Sequence, residues 1–320
     1  MEPKAEESGP EELRDALDSL RREIRSRFPV RGELTGPTGR ANWENLYVRL
    51  RRAASTFGMS ERSAEVDEFG MDGLTLAQAR PILEFLYDTY WRVDLHGVQN
   101  LPDEGPILLV ANRSGLLPYD GLMISQALRR AKPGIPQPRF LVADWLITLP
   151  FAQAYLARLG GVRACRENAE RLLSSGNNVI AFPEGAQGAA KVYRERYRLK
   201  RFGRGGVVRM ALECGVPLVP VGVVGAEEVH PMLFKWGTAA RAIGLPFVPV
   251  TPTFPLLGPL GCLPLPSKWV IHIGEPIALD HLEPDAAFDE LLISRMNQEL
   301  RGCIQGLVDT GLADRESIWS

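Results

Sequence analysis

At 320 residues, 45% hydrophobic and 24% charged, the chain has the length and apolar content for one sizeable α/β domain plus an appendage, and its composition excludes disorder of the whole. A formal net charge of -2 argues against a generally basic nucleic-acid binder, leaving only a local basic patch to examine. The four cysteines, Cys165, Cys214, Cys262 and Cys303, stand singly, which disfavours a zinc site or a disulfide framework and points to a reducing compartment.

The acidic start, Met1 to Glu12, lacks the basic and apolar parts of a secretory signal. No apolar run approaches the ~20 residues of a spanning helix. Membrane contact is therefore expected to be peripheral, at the cytoplasmic face. Met1 to Pro10 reads as a disordered tail. From Glu11 to Phe28, Leu13, Leu17, Leu20, Ile24 and Phe28 form one helical stripe, which has three readings: a surface packed on the main domain, an amphipathic membrane helix or a dimer seam. Pro29 to Gly39 breaks the pattern. A second helix is predicted at about Trp43 to Phe57, an acidic loop around Glu65 to Asp72, and a third helix over Leu76 to Thr89, so that 11–90 forms an N-terminal helical region.

From Trp91 to about residue 312 short apolar runs alternate with helical stretches, the pattern of a mostly parallel sheet flanked by helices. Strands are predicted over Arg92 to Leu95, Ile107 to Ala111, Arg139 to Val142, Asn178 to Phe182, Leu218 to Val224 and Trp269 to Ile273. Helices are predicted over Gly121 to Arg130, Trp145 to Leu159, Glu167 to Ser174, Gly205 to Cys214 and Phe288 to Val308. The stretch Ile243 to Pro266 is rich in Pro, Leu and Phe and carries no charge, so it suits neither a helix nor a central strand. It reads as a loop that enters lipid or lines an acyl groove, or as a cover over the sheet.

Three segments carry the chemistry. Ile107-Leu-Leu-Val-Ala-Asn-Arg-Ser-Gly-Leu-Leu-Pro-Tyr-Asp120 is an apolar strand emptying into a loop that ends in a carboxylate, and such strand-end loops are where open α/β sheets place ligands. Val179-Ile-Ala-Phe-Pro-Glu-Gly185 repeats the design, with Glu184 ordering the turn and Gly185 permitting close backbone approach. Gly205 to Val221 reads as a helix feeding a strand. Between them, Lys191, Arg194, Arg196, Arg198, Lys200, Arg201 and Arg204 are interleaved with Tyr193, Tyr197 and Phe202. That run suits nucleic acid, an anionic lipid surface, the phosphates of coenzyme A, or a solvated face, with lipid or coenzyme A preferred.

These segments resemble the lysophospholipid acyltransferase superfamily, in particular its monoacylglycerol acyltransferase-like branch. The resemblance spans about Leu83 to Pro276. Asn112 to Asp120, with Ser114 and Gly115 in the longer form, is similar to the first of four family blocks. Gly160 to Arg166, Phe182 to Gly185 and Val216 to Val221 are similar to the others, in order. The resemblance implies acyl transfer from an acyl thioester to a glycerolipid hydroxyl, with a histidine as general base oriented by an aspartate. Here Asp120 matches the aspartate, but Arg113 stands at the histidine position, and a guanidinium has no acceptor nitrogen and a pKa above ~12.

The resemblance also gives Asn112, Ser114, Gly115, Arg166, Glu184, Gly185 and Arg204 as substrate-binding candidates. Arg166 matches a phosphate-gripping arginine, or is a surface residue opening the next helix. Ala186 and Gln187 replace the family's Thr-Arg after Gly185, which favours a neutral acceptor such as a mono- or diacylglycerol. No bound cofactor or metal is implied; acyl-CoA or acyl-ACP would enter as co-substrate. His230 is a candidate substitute base. The alternative to an enzyme is a lipid or acyl-CoA binding module using the same pocket.

Overall fold

The computed structural model describes residues 66–319 except positions 116, 148–151, 238–239, 241–246, 280 and 283. The expected tail and the helices over Glu11 to Phe28 and Trp43 to Phe57 lie outside the described residues. Helix α1 (Gly73–Phe85) starts three residues before its expected boundary because Asp72 caps it. The Asp72 carboxylate accepts the Leu74 N–H at 3.0 Å and the Thr75 hydroxyl at 2.7 Å, satisfying donors that the first turn leaves open. A π turn over Leu86–Tyr90 then delivers Trp91 into the core.

Among the described residues nine strands follow: β1 (Asp94–His96), β2 (Leu108–Ala111), β3 (Arg139–Val142), β4 (Gly161–Arg163), β5 (Val179–Ala181), β6 (Leu218–Val224), β7 (Phe234–Trp236), β8 (Val248–Val250) and β9 (Val270–Ile273). Seven form one sheet in the order β1-β9-β6-β2-β5-β3-β4; β7 and β8 form a separate ribbon. Every neighbouring pair in the large sheet is parallel except β6 with β9. The fold is thus a mostly parallel sheet flanked by helices, as the alternating pattern implies. Strands β6, β2, β5, β3 and β4 share one direction, so their carboxyl ends share one edge.

The central strands are buried on both faces, which explains why they read as continuous apolar runs. Leu108, Val110, Val179 and Leu218 point into one core layer, with Leu172 of α5 (Arg166–Ser174), Ala211 of α7 (Gly206–Cys214) and Ile304 of α8 (Glu290–Asp314). Leu109, Ala111, Ile180 and Val219 point into the other, with Met123 and Leu128 of α2 (Tyr119–Ala131). Trp91 and Trp269 stack there at 4.6 Å between ring centroids, both fully buried.

Several expectations need correction. Of the helix expected over Trp145 to Leu159, the described residues hold α3 (Asp144–Ile147) and α4 (Ala152–Arg158). Strand β4 and the short α6 (Gly185–Ala189) had no expected counterpart. Helix α8 runs six residues beyond Val308, packed on β6 so closely that a Cβ on Gly222 would lie 2.7 Å from the Leu307 Cβ. The uncharged stretch after Ile243 contains β8 and a 3-10 turn, Gly258–Cys262.

Candidate active site

The site grows from the carboxyl end of β2. Asn112 continues the ladder with its side chain: its Oδ1 accepts the Val223 N–H at 2.7 Å, and its Nδ2 donates to the Val223 carbonyl at 2.9 Å. This fully buried amide pins the strand end to β6 and leaves Arg113 as the first residue free of the sheet. The Arg113 N–H donates to Glu184 Oε1 at 2.8 Å, joining the loop after β2 to the turn after β5.

The Arg113 side chain turns toward α2. Its Nη1 donates to Asp120 Oδ1 at 2.8 Å, with side-chain exposures of 6% and 0%. Asp120 lies in the first turn of α2, where a carboxylate is favoured by the unsatisfied N–H groups and the helix dipole. It also accepts the N–H of Gly121 at 2.9 Å and the N–H and hydroxyl of Ser114 at 3.1 and 3.3 Å. The buried charge is therefore paired and hydrogen-bonded, as burial requires. The Phe182 ring lies 5.1 Å from the Arg113 guanidinium carbon, a cation–π contact that further holds the side chain.

Behind Arg113 stands a second buried network that the sequence did not disclose. Glu184 accepts the Lys200 N–H at 2.6 Å and lies 3.3 Å from Lys191 Nζ, which reaches Glu227 at 2.7 Å. Glu227 also accepts the Tyr197 N–H at 3.1 Å. Burial pushes the Glu227 carboxyl above its ordinary range, with Lys191 opposing the shift. Next to it, Arg315 grips Glu228 through two hydrogen bonds of 2.6 and 2.8 Å, and burial raises the Tyr197 phenol. Lys191 was expected on a basic surface; it is buried, as are Tyr197 and Phe202, whereas Arg194, Arg198, Arg201 and Arg204 are exposed.

Gly188 permits this convergence. A Cβ there would fall 2.6 Å from Glu184 Cβ and 2.7 Å from Arg113 Cβ, so only glycine lets α6 lie against both. Gly185 adopts φ 54° and Gly115 φ 111°, conformations that favour glycine.

A cavity of about 490 Å³ opens at this edge, its wall including Arg113, Phe182, Arg166, Arg204, Val207 and Met210. Gly185 also lines it, and thus four of the expected residues face one space. Asn112, Ser114, Asp120 and Glu184 do not form its wall; they hold Arg113 from behind. Arg166 pairs with Glu170 and, at 2.5 Å, with Glu213, so it opens α5 on the exposed side, as the second of its sequence readings has it, and also borders the cavity. A second cavity of about 780 Å³ shares Gly203, Arg204 and Asn297 with the first. No histidine lines either one. His230 stacks on Tyr119, with centroids 5.9 Å apart, beside Asp120 in sequence but off the cavity wall.

The family model named Acyltransferase matches residues 92–224, the span from β1 through β6 that holds the Asn112–Arg113–Asp120–Glu184 assembly. The chain belongs to the acyltransferase family. The Mycobacterium tuberculosis (strain ATCC 25618 / H37Rv) protein Rv0502, itself uncharacterized, is 43% identical over 255 residues, covering 79% of this chain and 71% of the relative. The Bos taurus "DGAT1/2-independent enzyme synthesizing storage lipids" is 25% identical over 243 residues, 72% of this chain and 64% of its own length. The 1-acyl-sn-glycerophosphate acyltransferase PlsC of Thermotoga maritima aligns with 96% of this chain and 99% of its own at TM-score 0.48 and 17% identity. Within this family member, the chemical outcome of the geometry is clear at one point: Arg113 can donate hydrogen bonds and stabilise negative charge, but it cannot accept a proton.

Proposed function

We propose that this acyltransferase moves an acyl group from an acyl thioester, acyl-CoA or acyl-ACP, to a glycerolipid hydroxyl in the Arg113 cavity, working peripherally at a membrane surface. The observation that carries the reading is that cavity: it gathers apolar side chains suited to an acyl chain and arginines suited to a carbonyl or phosphate oxygen beside the family's loop after β2. The acceptor oxygen forms the new ester bond, the carbon–sulfur bond breaks, and the hydroxyl proton ends on the departing thiol. Arg113 would stabilise the oxyanion that develops on the thioester carbonyl. Loss of the phosphate-gripping arginine after Gly185 favours a mono- or diacylglycerol over lysophosphatidate.

One observation favours a second reading, retention of the same ligands without transfer: the guanidinium locked on Asp120 offers no base. Radiolabelled acyl-CoA supplied with monoacylglycerol, diacylglycerol or lysophosphatidate decides between them. Ester formation by the natural chain, lost in Asp120→Ala, supports transfer. Acyl-CoA binding with no ester from any acceptor supports the binding module, and absence of both ester and acyl-CoA binding refutes both.

A further inference from the structure

The excursion between β6 and β9 is built unlike the rest of the molecule. It leaves the carboxyl end of β6 and returns at the start of β9, and because Val224 pairs with Val270 in antiparallel register, both its ends sit at the edge that carries Arg113. On it, Leu233, Phe234, Trp236, Leu256, Leu257 and Leu260 are each more than half exposed, Leu256 at 83%. Leu263, on the same excursion, is also exposed; the other large exposed apolar residues of the described chain, Val66, Leu74, Tyr155, Phe288, Leu291 and Trp319, are scattered along it, an ordinary feature of protein surfaces, whereas a run of this density is not.

Exposure here is a fixed display. A lone two-stranded ribbon is marginal in water, but this one is anchored at its base: the Leu233 N–H donates to the Val250 carbonyl at 2.8 Å, the Leu265 N–H to Val229 at 2.8 Å, and the Trp91 indole to the Leu265 carbonyl at 3.2 Å. The turn carrying Leu256, Leu257 and Leu260 is tied internally, with Thr251 Oγ1 accepting the Phe254 N–H at 2.9 Å and Thr253 Oγ1 donating to the Gly261 carbonyl at 3.1 Å. Met232 and Phe247, flanking the ribbon strands, are buried. The leucines are held outward.

Charge completes the pattern. From Val229 to Ser267 there is no acidic residue. Lys235 sits exposed on β7, and the Tyr193 N–H donates to the Met232 carbonyl at 2.7 Å. That bond ties the ribbon to the segment bearing exposed Arg194, Arg198, Arg201 and Arg204. An apolar projection with a cationic collar matches the interior and the headgroups of an anionic leaflet.

We propose that the β7–β8 ribbon and the 3-10 turn after it are the element by which the chain enters an anionic membrane, setting the Arg113 edge against the lipid. The assignment rests on the lipid-directed reading above for its purpose, but its test is separate. Sedimentation with phosphatidylcholine vesicles, with and without phosphatidylglycerol, compares the full natural chain with Leu256→Ser/Leu260→Ser and with Trp236→Phe. Exposed positions leave the fold intact, which circular dichroism checks. The natural chain should bind the anionic vesicles more tightly than neutral ones. The double variant should bind at least about tenfold more weakly, and quenching of tryptophan fluorescence by brominated lipid should drop in Trp236→Phe.

Equal vesicle binding by the natural chain and the double variant overturns the assignment, as does unchanged quenching in Trp236→Phe. A dimer in sedimentation equilibrium that the double variant dissociates, with no vesicle binding, overturns it in favour of a second copy. Vesicle binding through the ribbon by a chain that neither transfers acyl groups nor binds acyl-CoA leaves this inference standing while the proposed function fails.

Discussion

Replacing Arg113 by histidine isolates the one group on which the chemistry turns. A positioned general base is worth about 10²- to 10⁴-fold in rate, or about 2.7–5.4 kcal/mol of barrier at ~1.36 kcal/mol per decade. The position is prepared for it: the 113 backbone is held by Glu184 at 2.8 Å, and Asp120, which would orient an imidazole, is held by Ser114 and Gly121 regardless of the side chain at 113. The variant also loses a buried pair, but Asp120 keeps three donors, so a stability loss of about 1–3 kcal/mol is expected. Steady-state acyl transfer from acyl-CoA should rise at least about a hundredfold. Its kcat/KM should climb through a histidine-like pKa near ~6.5, a rise absent from the natural chain. A folded Arg113→His protein that binds acyl-CoA yet turns over no faster than the natural chain, with a flat pH profile, refutes the assignment of position 113 as the site of the missing base.

Asp120→Asn should unfold more easily by about 3–5 kcal/mol in urea, because a buried guanidinium is left without its carboxylate. Gly188→Ala should cost about 1–3 kcal/mol through overpacking and weaken acyl-CoA binding by calorimetry, since the new Cβ meets both Glu184 and Arg113. Glu227 titrates above its ordinary value of 4.5 in the fold. Between that value and its raised one the native state holds more protons than the unfolded chain, so this group's contribution to stability is full below 4.5 and is lost as pH rises through the raised value. Urea midpoints measured across that window should fall with pH more steeply in the natural chain than in Glu227→Gln.

Which parts could be read from sequence follows from the range of the forces involved. Strands β2, β3, β5, β6 and β9 were legible because burial on both faces writes an unbroken apolar run. The three residues of β4, Gly161, Val162 and Arg163, write no such run and take their conformation from pairing with Phe140 to Val142. Helix α6 is too short to show a period. The loop after β2 and the turn after β5 were legible as neighbours, and the cavity does join Arg113 to Gly185, Arg166 and Arg204. Lys191 and Glu227 lie 36 positions apart, and nothing local marks either as the partner of the other; within a basic run, one inward lysine looks like its exposed neighbours.

The buried network also explains how the architecture tolerates an arginine at position 113. Glu184 grips the backbone there, and is itself held by Lys191 and by the Lys200 N–H, with Glu227 completing the chain of charges to Tyr197. None of these bonds involves the side chain of residue 113. The side chain is joined instead to Asp120, whose other donors come from Ser114 and the first turn of α2. Position 113 is thus a socket fixed by its surroundings, and the identity of its occupant decides whether a proton can be taken without deciding whether the cavity forms. Under the proposed function, ligand binding and acyl transfer are separable for that reason: the Glu184 network holds the backbone at position 113, and the rate would depend on the side chain presented there.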